Sequence, residues 1–142
     1  MKIEILSFSG KLFKSKNVIS VNCMSKVGEI TILDNHESLI TSLSPCVINV
    51  LYIDENNNKK EENFAVGSGV LEFSQNSMKI LIDLLVTVDE VDFDTVQKAR
   101  EDALKTMEKY KNSQDKIDME KYIEAQDSLL KSLAQLKLGN IR

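Results

Sequence analysis

The sequence is poor in the residues that punctuate or brace small proteins. Its 142 residues include no tryptophan, one proline (Pro45), one histidine (His36) and two cysteines. Aromatic side chains make up only 6% of the chain, so any core is mainly aliphatic. No run approaches the ~18 apolar residues of a membrane span. The opening stretch "MKIEILSFSG" is a poor secretion signal, because Glu4 interrupts a very short apolar run. These two absences point to the cytoplasm. A net charge of -4, with no basic stripe interleaved with aromatics, argues against nucleic acid as a partner. Cys23 and Cys46 sit in apolar, strand-like runs. That placement suits buried thiols in a reducing compartment better than a disulfide or a metal pair.

Catalytic signatures are missing as well. The chain contains no G-x-S-x-G, H-E-x-x-H, C-x-x-C, P-loop or G-x-G-x-x-G. His36 has only Asp34 and Glu37 as neighbouring carboxylates, without the further ligands that a histidine metal site requires. "GSG" at 67–69 is too short to cradle a phosphate, and a bend or a close backbone approach explains it better. No catalytic residue and no metal site is therefore assigned.

What is present divides at about Asp89. Before it, "IEILSF", "VISVNCM", "EITIL", "VINVLYI", "NFAVGSGVLEF" and "SMKILID" read as short strands separated by turn signals. "VINVLYI" has apolar residues on both faces, as a strand covered on both sides would. Close spacing of such strands predicts an antiparallel sandwich or barrel. From Asp92 to Lys111 the period changes. Phe93, Val96, Ala99, Ala103, Met107 and Tyr110 fall on one helical face, and Asp94 with Gln97 suggests a capping box. After a loop at 112–116, Asp118 reads as an N-cap. Met119, Tyr122, Leu129, Leu133 and Leu136 form a second stripe, with Gly139 as its stop. Two helices joined so briefly predict an antiparallel hairpin. The expected organisation is α+β: an N-terminal antiparallel β-sandwich at 1–88 and a two-helix hairpin at 89–142. Beyond Asp127 the chain carries Lys131, Lys137 and Arg142 and no acid. These cations complement the helix dipole, and they would also suit an acidic patch on a partner.

Three ordered segments carry a family resemblance. In "GEITILDNHESLITSLSP", Gly28, Glu29, Leu33, His36, Leu39, Thr41 and Pro45 stand where the epsilon subunits of bacterial F-type ATP synthases have the same residues. Gly69, Glu72 and Asp83 match a second segment. Tyr122, Ala125, Leu129, Lys131 and "AQLK" at 134–137 match the last helix. Over essentially its whole length the chain resembles that family, the counterpart of the mitochondrial delta subunit.

The resemblance implies a non-catalytic rotor subunit of the central stalk, at the cytoplasmic face of the cell membrane. Its sandwich would grip the gamma subunit and rest on the c ring, with Glu29 and His36 as ring contacts. Its hairpin would fold against the sandwich or extend towards the alpha and beta catalytic subunits and inhibit ATP hydrolysis. Lys131, Lys137 and Arg142 would be the contacts to the head. Two departures stand out. "LDNHES" replaces a proline-flanked loop, which implies a looser one. Some members bind ATP at a motif opening the first helix, where this chain has "FDTVQK". Asp94 is retained, but Gln97 replaces the arginine and cannot offer a cationic fork to phosphate. Only Lys98 and Arg100 nearby could compensate, so no cofactor is expected. The alternatives are a generic adaptor with a sandwich and a coiled-coil tail, and a small hydrolase built on His36.

Overall fold

The computed structural model describes residues 1–141. Ten strands come first: β1 (Lys2–Ser7), β2 (Leu12–Ser15), β3 (Val18–Ser25), β4 (Gly28–Leu33), β5 (Leu39–Leu43), β6 (Cys46–Ile53), β7 (Lys59–Val66), β8 (Gly69–Ser74), β9 (Ser77–Ile82) and β10 (Leu85–Thr87). A 3-10 turn at Val88–Glu90 leads into α1 (Phe93–Tyr110) and α2 (Lys116–Asn140).

The ladders run β10-β7-β6-β3-β5-β8-β9-β1-β2, with β4 also on β3. Only Ser25 opposite Leu43 joins β3 to β5. At that single bridge the sheet folds over into two layers, β10-β7-β6-β3-β4 and β5-β8-β9-β1-β2. Alternation puts Ile5, Leu43, Leu71, Met78, Ile80 and Ile82 of one layer against Val21, Ile32, Ile48 and Val50 of the other, all fully buried or nearly so. Phe13 leans on Phe64 and Tyr52 at ring separations of 4.8 and 5.9 Å, closing one end of the core. The sandwich expected from strand spacing is present. One ladder departs from the antiparallel expectation, because β1 pairs in parallel with β9 from Lys2 to Ser7. The stretch "NFAVGSGVLEF" divides into β7 and β8, and β2, β5 and β10 are strands that alternation did not reveal.

The glycines of that stretch serve close approach. A β-carbon on Gly69 would lie 1.9 Å from the Leu81 carbonyl oxygen and 2.8 Å from Ile82 Cα, both backbone atoms in the pairing strand. Neither can move without breaking the β8–β9 ladder, so Gly69→Ala is expected to destabilise the fold by about 2 kcal/mol. A lowered urea midpoint with an unchanged slope would report it; an unchanged midpoint would refute the steric argument.

Both helices begin earlier than their sequence signals suggest. Asp92, not Asp94, caps α1, and its carboxylate accepts from Asp94 N, Thr95 N and Thr95 Oγ1. The hydrogen bonds from Thr95, side chain first, hold the Asp92 carboxyl below its ordinary value. Asp115, not Asp118, caps α2 by accepting from Ile117 N at 3.0 Å. Gly139 does not stop α2; it is buried one residue before the end, where a β-carbon would collide with the Phe93 ring at 2.4 Å. The missing side chain lets the end of α2 close against the start of α1. Val96, Ala103, Ala125 and Ser132 are also buried on the helices, with small side chains that allow close packing.

The hairpin lies on the sandwich. α2 packs against the outer face of β6 and β7. There Ala134 and Leu138 meet Ala65 and Val86, with Val47, Leu84, Val88 and Val91 around them. Val47 thus explains why β6 is apolar on both faces.

Candidate functional site

The loop after β4 is built by hydrogen bonds instead of prolines. Asn35 takes a positive φ of 62°, and His36 N donates to Leu33 O at 3.2 Å, closing a tight turn. Asp34 accepts from the Met1 amine at 2.7 Å and from Asn76 Nδ2 at 2.9 Å. Asn35 N donates to Asn76 Oδ1 at 2.8 Å, which ties the loop to the β8–β9 turn. The Met1 amine and Asn76 together hold the Asp34 carboxyl below its ordinary value. His36 is exposed; Nδ1 lies 2.7 Å from Glu37 O, and the ring stands edge-on to Phe73 at 5.8 Å. The ring is therefore oriented by its own loop, and neither Asp34 nor Glu37 offers it a carboxylate partner.

Glu29 sits at the other end of β4, opposite Met24. Four residues of extended chain put roughly 13 Å between it and Leu33. The structure therefore does not bring Glu29 and His36 together. Instead Glu29 shares a groove of about 260 Å³ with Pro45, Cys46, Leu130, Leu133 and Lys137, between the sandwich and α2. Cys23, also at this groove, is buried and its thiol is pushed up to about 12, first by burial and then by Cys46. Cys46 is half-buried and is also raised, by burial above all, although Met24 N donates to its Sγ and Lys137 is near. Both cysteines are free thiols.

The hairpin cations have different fates. Lys131 Nζ lies 2.8 Å from both Asp83 and Asp127, and Ser68 Oγ donates to Asp127 at 3.3 Å. Burial alone would pull the Lys131 ammonium down, but its bonds to Asp127 and Asp83 outweigh that and raise it. Lys137 is exposed at the groove rim, and Arg142 lies outside the described residues. At the start of α1, Asp94 and Lys98 are exposed, whereas Arg100 is half-buried with an unpartnered Nε. Among the described residues no group of three or more His, Cys, Asp or Glu side chains could hold a metal. No described helix is long and apolar enough to cross a membrane.

One surface escaped sequence reasoning. The layer β5-β8-β9-β1-β2 carries no helix on its outer face. The registers place Ser42, Val70, Leu81, Leu6 and Leu12 in one row across that face. Leu12 and Leu81 are each 49% exposed and Val70 47%. The next row, Ile40, Glu72, Lys79, Glu4 and Lys14, has alternating charges behind an Ile40 that is 74% exposed. Phe8 protrudes nearby, 78% exposed. The available signal was an apolar residue at an outward position, Leu6 in "KIEILS" and Leu81 in "SMKILI". Its continuity across strands depends on the pairing order.

Comparison with known proteins bears on the family and the fold. Residues 1–88 match the family described as "ATP synthase, Delta/Epsilon chain, beta-sandwich domain". The ATP synthase epsilon chain of Ligilactobacillus salivarius is 27% identical over 139 residues, covering 98% of this chain and 94% of its own. That of Hydrogenovibrio crunogenus is 33% identical over 107 residues, 73% of this chain and 70% of its own. Among solved structures, a chain of the Euglena gracilis mitochondrial ATP synthase superposes with a TM-score of 0.73 at 19% identity, covering 95% of this chain and 78% of its own. A chain from the central stalk and c ring of the Tetrahymena thermophila enzyme gives 0.65 at 15% identity, covering 98% and 96%.

Proposed function

The chain belongs to the ATP synthase delta/epsilon family, whose members are non-catalytic subunits of the rotary enzyme, and from that premise we propose how its surfaces divide the work of a central-stalk subunit. The observation that carries the reading is the asymmetry of the sandwich. One outer sheet face is covered by the chain's own hairpin, and the other presents a bare apolar row. A sheet face with Leu12, Leu81 and Val70 half exposed suits a permanent protein interface better than solvent. We assign that face to the gamma subunit.

The loop carrying His36 is the contact to the c ring. It is polar, shaped by hydrogen bonds to a neighbouring turn, and so is rigid enough to transmit force without being reactive. Glu29, at the far end of β4 beside the α2 groove, would meet the ring at a separate point from His36. A joint that carries torque needs a broad complementary surface, not a nucleophile. In ATP synthesis the protein couples ring rotation to gamma and thence to the catalytic head.

The hairpin is a regulatory element that inhibits ATP hydrolysis when it leaves the sandwich and extends along gamma towards the alpha and beta subunits. Its docking contact is small, and among the described residues Leu138 is the only large side chain completely buried there. Two states that differ by a few kcal/mol follow naturally from such a footprint. Lys137 is free to meet the head in either state, whereas Lys131 must first leave Asp83.

The test is to titrate the full chain into a catalytic head that contains gamma, measuring binding and ATP hydrolysis together. Binding with inhibition supports the assignments of the bare face and of the hairpin. Absence of binding to gamma would overturn the assignment of the bare sheet face.

A further inference from the structure

The hairpin is fastened to the sandwich at two polar points of different character. At its root, Lys11 Nζ reaches Glu90 at 2.5 Å and Leu85 O at 3.3 Å, and Glu90 accepts from Thr87 N at 2.9 Å. These bonds keep the 3-10 turn on the sandwich. Between Glu90 and the α1 cap at Asp92 stands Val91 alone, in extended conformation. Any swing of the hairpin that spares the root and the cap turns there.

The second point lies well along α2. Lys131 bridges Asp127 of its own helix, one turn earlier, and Asp83 of the sandwich, each at 2.8 Å. The corner between β7 and β8 is shaped for this pair. A β-carbon on Gly67 would sit 1.8 Å from Asp83 Oδ1 and 2.9 Å from Lys131 Cε. Ser68, the next residue, holds the other oxygen of Asp127. Asp83 and Lys131 retain 32% and 26% of their side-chain exposure, so the pair is partly shielded but reachable by salt. Around it the apolar footprint is limited to Ala65, Val86, Ala134 and Leu138 with their rim. With so little apolar area, a cross-interface ion pair weighs heavily in the balance between docked and free.

We propose that Lys131, Asp83 and Asp127, seated over Gly67, form a latch that sets how much of the hairpin is docked, and that the chain pivots at Val91 when the latch opens. The inference rests on the reading of the hairpin as a mobile regulatory element and supplies its control. In the docked state Lys131 is occupied by the sandwich; release frees the same cation for an acidic partner. The docked population should then fall with ionic strength.

Cys46 is a natural reporter. It stands at the rim of the main core and lines the groove whose far wall is Leu130, Leu133, Ala134 and Lys137 of α2, so release opens that wall beside it, while Cys23, at the same groove, stays 1% exposed within the core. The experiment measures the rate of Cys46 modification by a neutral maleimide in the isolated full chain, so it needs neither gamma nor a head. Asp83→Asn and Lys131→Met are expected to raise the rate roughly threefold to fivefold, the scale of a partly exposed pair. Raising salt should accelerate the wild type about twofold and leave both variants unchanged. Unreactive Cys23 verifies that a variant is folded. Equal rates in wild type and in folded Asp83→Asn would overturn the latch. So would a wild-type rate indifferent to salt, which needs no variant. Failure of gamma binding, by contrast, would leave these rates untouched.

Discussion

A chain stopped before Asp89 is expected to bind gamma as the full chain does and to leave ATP hydrolysis unrestrained. The reason lies in where the cores are. The main core is drawn from Met1 through Leu85, and no hairpin residue belongs to it. Removing the hairpin uncovers Ala65 and Val86 and their rim, a loss of roughly 2 kcal/mol of apolar burial at ~25 cal/mol per Å². A two-layer sandwich closed by continuous ladders can bear that. The bare face of β5-β8-β9-β1-β2 is untouched by the truncation, so affinity for gamma should change less than threefold. The inhibitory element, by contrast, is gone entirely. The comparison is hydrolysis by the gamma-containing head with the full chain, with the truncated chain and with neither. Inhibition by the truncated chain would place the brake in the sandwich and remove the hairpin from the mechanism.

Leu12→Asp combined with Leu81→Asp is expected to weaken gamma binding about a hundredfold. Both side chains point outward, one strand apart in the same row through Leu6, and both are half exposed in the free protein. Replacing them costs the fold little. At an interface the two carboxylates would lose water without gaining partners. Even at a modest penalty for each buried charge, the pair removes about 2.7 kcal/mol, two decades in affinity. Titration into gamma with a parallel urea melt separates the two effects. Unchanged affinity with an intact fold would move the gamma site away from this face. The hairpin latch should be unaffected, because the substituted row lies on the opposite side of the sandwich.

The two functions suggested for Lys131 can be separated genetically. Lys131→Met removes both the latch and a contact to the head, whereas Asp83→Asn removes only the latch. Full-chain Asp83→Asn is therefore expected to inhibit hydrolysis more strongly than wild type, by roughly the threefold to fivefold shift in docked population. Lys131→Met should gain less. Equal behaviour of the two variants would mean that Lys131 makes no contact with the head.

Local chemistry made much of this protein legible. Alternation in "SMKILID" and "VISVNCM" and the change of period at Asp92 follow from how side chains project from a strand or a helix, and neither needs a distant partner. The capping residues were not legible, because several aspartates could cap each helix. Asp92 and Asp115 prevail where their carboxylates reach the first free amides. Gly139 resembled a stop signal but serves close packing on Phe93. The family segments, too, could be read in order along the chain. By itself, then, the sequence determined the α+β class, the sandwich, the hairpin and the absence of any recognisable catalytic motif. Only the tertiary structure decided that β1 lies parallel to β9, that Leu6, Leu12, Val70 and Leu81 line up on one bare face, and that Glu29 and His36 stand apart. It also decided that Lys131 belongs to Asp83. Each of those results joins residues far apart in the chain. Such contacts form according to which surfaces can be buried together, a global balance that no local period records.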